Sequence, residues 1–236
     1  MLELLGLGLI AGVLTTVAGM GGGLLLVVAL SAWKGPHYAL AVTTPALLLS
    51  NLHRAYLFRK VANREVAKAF AFGAIPGAFA AGWFVPRLPE VMLKIVLIGA
   101  TLLTLARVMG WFRWQPGPRA ITTGGAGIGV LTATAGGAGV LTGPLFMGAG
   151  LTGATYVGTI ALGAVALHLG RVLGYGAGGL FAAELVAPMA ILAVGLIGGN
   201  FAGKGLRRHI TDKLESRVEV GALVVCTTFA VVGLGT

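Results

Sequence analysis

The sequence predicts an all-α polytopic membrane protein made of two inverted repeats, each a re-entrant broken-helix hairpin followed by three transmembrane helices. Three observations carry this. First, 57% of residues are hydrophobic and 10% charged, with several uncharged apolar stretches near or above 18 residues. About 20 such residues cross a roughly 30 Å hydrocarbon core as helix, and continuous rather than alternating apolarity speaks against a β-barrel. Second, the run Ala18-Gly19-Met20-Gly21-Gly22-Gly23 breaks the first apolar segment, and its surroundings recur 117 residues later. Gly12 to Thr15, Ala18, Gly19, Gly22 and Leu24 reappear as Gly129 to Thr132, Ala135, Gly136, Gly139 and Leu141, eight identities in thirteen positions. Matching breaks in two halves of a membrane protein point to a transporter's binding site. The third observation is the placement of basic residues.

Apolar runs and loop signals give eight segments: 2–33, 37–58, 66–85, 91–111, 120–150, 153–174, 183–203 and 217–235. They form two groups of four: a first repeat over 1–112, a junction at 113–119 around Gln115-Pro116-Gly117-Pro118, and a second repeat over 120–236. Two further matches support the duplication. Asn51-Leu52-His53-Arg54 aligns with His168-Leu169-Gly170-Arg171, and Gly77 to Gly82 resembles Gly198 to Gly203.

Lys and Arg residues cluster at Arg59, Lys60, Arg64 and Lys68; at Arg107, Arg113 and Arg119; and at Lys204, Arg207, Arg208, Lys213 and Arg217. The positive-inside rule puts these stretches in the cytoplasm, so Arg87 and the glycine-rich loop 174–179 face outward. Between the cytoplasmic junction and that outer loop the chain has two apolar segments but must cross an odd number of times. Segment 153–174 reads as a plain span, so 120–150 returns to its own side. Its arms of about 15 and 11 residues reach roughly 22 and 16 Å as helix, each too short to cross. The bend is expected at Ala135–Gly139, and 2–33 is the counterpart hairpin from the opposite face. Both termini then lie on the outer side of an inner membrane. The opening Met1-Leu2-Glu3-Leu4 carries an acid where a signal peptide has its bases, so no cleavage is expected. Trp33, Trp83, Trp111 and Trp114 stand at segment ends, where aromatic belts form.

The run Gly19-Met20-Gly21-Gly22-Gly23, its weaker copy Gly136-Gly137-Ala138-Gly139, the Ala39–Thr44 start of the second segment and the basic loop after it resemble the TauE/SafE family of sulfite and organic-anion exporters. The resemblance spans essentially the whole chain. It implies export of a small sulfur-containing anion, such as sulfite or an organosulfonate like sulfoacetate.

The residues themselves suggest where such an anion binds. Helix N-termini offer backbone N–H groups and the positive end of the helix dipole. The second arms start near Gly22 and Gly139, so Gly21, Gly22, Gly23, Ala138 and Gly139 are candidate binding positions. The first arms end at the same depth with exposed carbonyls, so the dipoles alone do not fix the sign of the ligand. Thr15, Thr132 and Thr134 precede the breaks and offer hydroxyls, as does Thr16, although a helical Thr commonly bonds back to its own helix. Asn51 and His168 are equivalent polar residues deep in their spans, where polarity is costly unless used. Arg54 is expected to snorkel to the cytoplasmic interface and His53 to be interfacial, while Arg171 guards the outer mouth.

All seven acids fall at segment ends or in loops. No carboxylate therefore serves coupling to protons or sodium at the midplane, and the membrane potential suffices to drive an anion outward. His168 is the one deep group able to carry a proton, which keeps proton coupling open. A passive anion channel is the other alternative. The lone Cys226 excludes an internal disulfide and a thiol metal cluster, and no metal or other cofactor is expected. Three serines without a catalytic partner argue against an enzyme. The net charge of +10 is loop-borne and topological, so nucleic acid is not a partner. The expected partners are a small anionic substrate and the lipid bilayer; a homodimer is compatible with the sequence and not required by it.

Overall fold

The computed structural model describes residues 1–17, 21–108, 117–207 and 221. The eighth segment (217–235), the tip Ala18–Met20 of the first glycine run, Trp111, Trp114 and the basic residues Arg113, Arg208, Lys213 and Arg217 lie outside the described residues.

All regular structure among the described residues is helical: α1 Leu2–Val17, α2 Gly22–Lys34, α3 Pro36–Leu57, α4 Arg64–Phe84, α5 Glu90–Val108, α6 Pro118–Ala135, α7 Ala138–Gly148, α8 Gly153–Gly178 and α9 Val186–Arg207. Short 3-10 turns precede α5 and α9. Length and composition allow three stretches to cross a membrane: Arg64–Arg87, Gly153–Gly178 and Ala183–Leu206. The described residues thus have the all-helical, apolar make-up of a membrane protein.

Local signals explain several boundaries. Proline stands in the first turn of α3 and of α6, where its missing N–H costs nothing. Asn63 caps α4 by accepting from the amides of Glu65 and Val66. Helix α8 runs to Gly178, through most of the stretch expected as a loop from 174. The glycines there serve packing rather than turning: a Cβ on Gly174 would meet the Phe79 carbonyl oxygen of α4 at 2.5 Å.

Each broken pair folds back on itself. A Cβ on Gly22 would lie 2.1 Å from the Ala11 carbonyl oxygen, and one on Gly124 would touch Leu145, so α2 returns along α1 and α7 along α6. Met1, Leu2 and Leu5 share a groove with Ile191 and Val194 at the start of α9. Gly35, at the end of α2, meets Glu90, and Gly178 meets Trp83 and Pro86. At the opposite end Asn63 donates its backbone N–H to Thr159, and Thr122 of α6 donates to the Ala69 carbonyl.

Two glycine-lined helix pairs hold this arrangement. Gly8 and Gly12 of α1 face Gly195 and Gly199 of α9, while Gly125 and Gly129 of α6 face Gly73 and Gly77 of α4. Both pairs run parallel, in the same Gly-x3-Gly spacing that lets backbones approach closely in lipid. A Cβ would fall 2.3 Å from the Leu196 oxygen at Gly12 and 2.0 Å from the Thr122 oxygen at Gly73. Each pair joins a hairpin arm from one half of the sequence to a span from the other. Helices α3 and α8 pack on one another and, with the α1–α2 break, line a small internal space.

Candidate functional site

The site begins where two helices stop. Gly21 sits at φ 95°, Gly136 at φ 71° and Gly137 at φ 66°, conformations that glycine adopts without strain. Helices α2 and α7 restart from Gly21 and Gly137 with no side chain capping either N-terminus. Their first-turn amides carry the positive end of each helix dipole, and the N-cap glycines have no side chain with which to cover it. The breaks meet: a Cβ on Gly136 would strike Val27, and one on Gly137 would touch Leu24, both residues of α2.

The C-terminal ends of the first arms are treated differently. Arg54, 2% exposed, donates from Nη1 to the Thr15 carbonyl in the last turn of α1 and from Nη2 to Asn51 Oδ1 at 2.7 Å. Asn51 is fixed in turn by its Nδ2 donating to the Leu47 carbonyl at 2.7 Å. Arg171, fully buried, occupies the equivalent place for α6 through a relay. Its Nε donates to the Tyr175 hydroxyl at 3.2 Å, and that hydroxyl donates to the Ala133 carbonyl in the last turn of α6. Arg171 Nη1 also lies 3.4 Å from His168 Nδ1. A guanidinium can only donate, so Nδ1 accepts and the imidazole proton resides on Nε2. Among the described residues no carboxylate lies within 4 Å of Arg171, and its Nη2 has no hydrogen-bond partner.

A cavity of about 20 Å³ lies at this junction, lined by Thr15, Gly21, Gly23, Leu24, Leu47, Asn51, Arg54, Ala164 and His168. That is room for about one water. Five of the candidate positions, Thr15, Gly21, Gly23, Asn51 and His168, thus share one wall-to-wall space. Gly22 lies behind it, against Ala11. Thr132, Thr134 and Arg171 do not line it, although Arg171 reaches His168 from behind, and both arginines act electrostatically on that imidazole; the side-chain surroundings of Ala138 and Gly139 lie outside what the structure describes. The threonine hydroxyls donate within their own helices: Thr15 to Ala11, Thr132 to Gly129 and Thr134 to Leu131. Thr16 instead donates to Asn200 Oδ1 at 2.9 Å, and Asn200 Nδ2 donates to the Ser50 carbonyl and hydroxyl, both at 3.0 Å.

Two expectations need correcting. Arg54 does not snorkel to the interface; helix-end carbonyls and Asn51 absorb its donors and favour its charge inside. Arg171 does not guard an outer mouth. Helix α8 extends seven residues beyond it, and the residue is enclosed against Tyr175 and His168. His53 is half-buried beside Phe201 and 3.5 Å from Asn200. Sequence reasoning missed Tyr175, Asn200 and the importance of Arg54. The signal for Arg54 was present, because Arg54 and Arg171 are separated by the same 117 residues as the two glycine breaks. Among the described residues no three of His, Cys, Asp and Glu stand close enough to hold a metal.

No curated protein and no solved structure matches the chain. The family model described as sulfite exporter TauE/SafE matches residues 4–231. Its members are membrane transporters, not enzymes. The chain belongs to the TauE/SafE family of sulfite exporters.

Proposed function

We propose that this protein exports a small sulfur-containing anion, sulfite or an organosulfonate such as sulfoacetate, across the inner membrane by alternating access around the cavity between α2, α3 and α8. The observation that carries the reading is the position of the two buried arginines. Helix dipoles alone leave the sign of the site open, because N-termini and C-termini converge there. Arg54 and Arg171 answer the carbonyl ends of α1 and α6 while the amide ends of α2 and α7 stay uncapped. The balance is positive, and it favours an anion.

Architecture supports the same reading. The hairpins α1–α2 and α6–α7 open toward opposite ends of the molecule, and the glycine-lined pairs repeat with the halves exchanged. This is the plan of two inverted repeats, 1–112 and 120–236, with re-entrant hairpins meeting near the midplane. By the positive-inside rule the base-rich end at Arg59–Lys68 is cytoplasmic and the N-terminus external; the C-terminal segment lies outside the described residues. A cavity for one water-sized group must widen to admit sulfite, which favours a carrier over an open channel. An inside-negative potential drives a monoanion outward by about 2.3 kcal/mol per 100 mV. The reading needs no coupling ion. Proton coupling is the second reading, favoured by His168 on the cavity wall.

The test is flux of sulfite and of sulfoacetate into or out of proteoliposomes under an imposed potassium-diffusion potential without a pH gradient. Saturable flux that follows the potential, and that survives His168→Asn, is the expected result. Flux that requires a pH gradient and is lost in His168→Asn would replace uniport by proton coupling. Absence of flux for both anions would remove the substrate class.

A further inference from the structure

Away from the central cavity, α3, α4 and α8 enclose a second groove of about 360 Å³. Its lining changes character along its length. Arg59, Arg64 and Lys68, all exposed, stand at the end where α3 finishes and α4 begins. Ala55, Ala71 and Leu162 line it a turn or two further from that end. Positions 64, 68 and 71 fall on one face of α4, so bases and apolar floor belong to a single continuous track. An occupant that matches this lining has an anionic head and an apolar tail directed along the helices.

The groove is separate from the proposed transport cavity. Leu162 faces the groove and Ala164 the cavity, about 200° apart around α8, so the helix itself divides them. Its surroundings are those of a lipid-facing periphery. Phe72, next to Ala71 on α4, is 83% exposed, and Tyr56 is exposed beneath the Arg59 guanidinium, which lies 4.0 Å from its ring centroid. An aromatic at this level marks the headgroup region.

We propose that this groove is a binding site for an anionic phospholipid of the leaflet at the base-rich end. The phosphate lies among Arg59, Arg64 and Lys68, and the upper acyl chain lies on Ala55, Ala71 and Leu162. Three cations at a headgroup, with an apolar floor beneath, discriminate by charge against zwitterionic lipid. The site is independent of which anion is transported.

The experiment is native mass spectrometry of the purified full chain in neutral detergent, titrated with phosphatidylglycerol, phosphatidylcholine or glycerol phosphate. One retained phosphatidylglycerol per chain, displaced by neither of the others, is expected. The triple variant Arg59→Gln/Arg64→Gln/Lys68→Gln, altered only at exposed positions, should weaken retention on the order of 100-fold. Leu162→Trp, which fills the floor and leaves the bases untouched, should weaken it too. Equal retention of phosphatidylcholine, unchanged retention in the triple variant, or displacement by glycerol phosphate with Leu162→Trp silent would each overturn the assignment. The last outcome would mean a site for free anions.

Discussion

Burying a guanidinium in a membrane protein is costly unless its donors are met, and the two deep arginines here differ in the partners they find. Arg54 reaches the Thr15 carbonyl directly and is braced by Asn51; Arg171 works through Tyr175 and leans on His168. The substitution of His168 for Asn51 between the halves accompanies this difference. Arg171 meets the α6 carbonyl only through the Tyr175 hydroxyl, and its buried Nη2 has no hydrogen-bond partner. Arg54 contributes charge and geometry together, so its two replacements should separate. Arg54→Lys keeps the charge but loses the two-way contact with Thr15 and Asn51, and Arg54→Gln loses both. Initial flux of sulfite in proteoliposomes should fall about tenfold for lysine and about a hundredfold or more for glutamine, reflecting a lost charge-assisted hydrogen bond of roughly 1.5–3 kcal/mol. Equal flux in Arg54→Gln and the parent would show that the positive field at the cavity is not used.

Helices α1 and α6 are held by glycine contact rather than by side-chain bulk. The consequence is a sharp dependence on single methyl groups. Gly12→Val or Gly73→Val places atoms inside the facing carbonyls and should lower stability by about 1–3 kcal/mol or more, read as a large fall in the thermal midpoint in detergent. Gly99→Ala on α5, where a Cβ meets nothing within 4 Å, should leave the midpoint unchanged or raise it. If Gly12→Val melted like Gly99→Ala, the pairing of α1 with α9 would be wrong. These contacts also mark what could be read from residues alone. The all-helical membrane class follows directly from apolar runs, because lipid demands internally satisfied backbones. Helix ends at 17 and 135, and restarts at 22 and 138, coincide with glycine runs whose local conformations other residues resist. The pairing of α1 with α9 was hidden, because Gly-x3-Gly says that a close neighbour exists and not which one. Extension of α8 through Gly174 and Gly176 was misread for the same reason: a packing glycine and a turn glycine look alike until the neighbouring backbone is known. The cavity was half legible. Polar residues at matching depths in the two halves point to it, whereas Tyr175 and Asn200 hold the residues around it through tertiary contacts that no local pattern records.

The two halves form one body, since each lends a hairpin arm to a span of the other. A chain severed between residues 112 and 119 should give halves that are degraded when made singly and that restore membrane insertion and sulfite flux when made together. Stable accumulation of either half alone, judged by its amount in washed membranes, would contradict the exchanged packing. Under the proposed alternating access, the movement falls to α2, α7, α3 and α8 rather than to the two glycine pairs. The lacing also sets a timetable for synthesis. Thr16 waits for Asn200, 184 residues downstream, which at about 5–20 residues per second is roughly 10–40 s of translation. Over that interval the glycine face of α1 still lacks α9, whereas Arg54, 39 residues on from Thr15, is already available to its carbonyl. Under the proposed function, the arginine that favours an anion at the cavity is thus also the contact that ties the end of the first helix to α3.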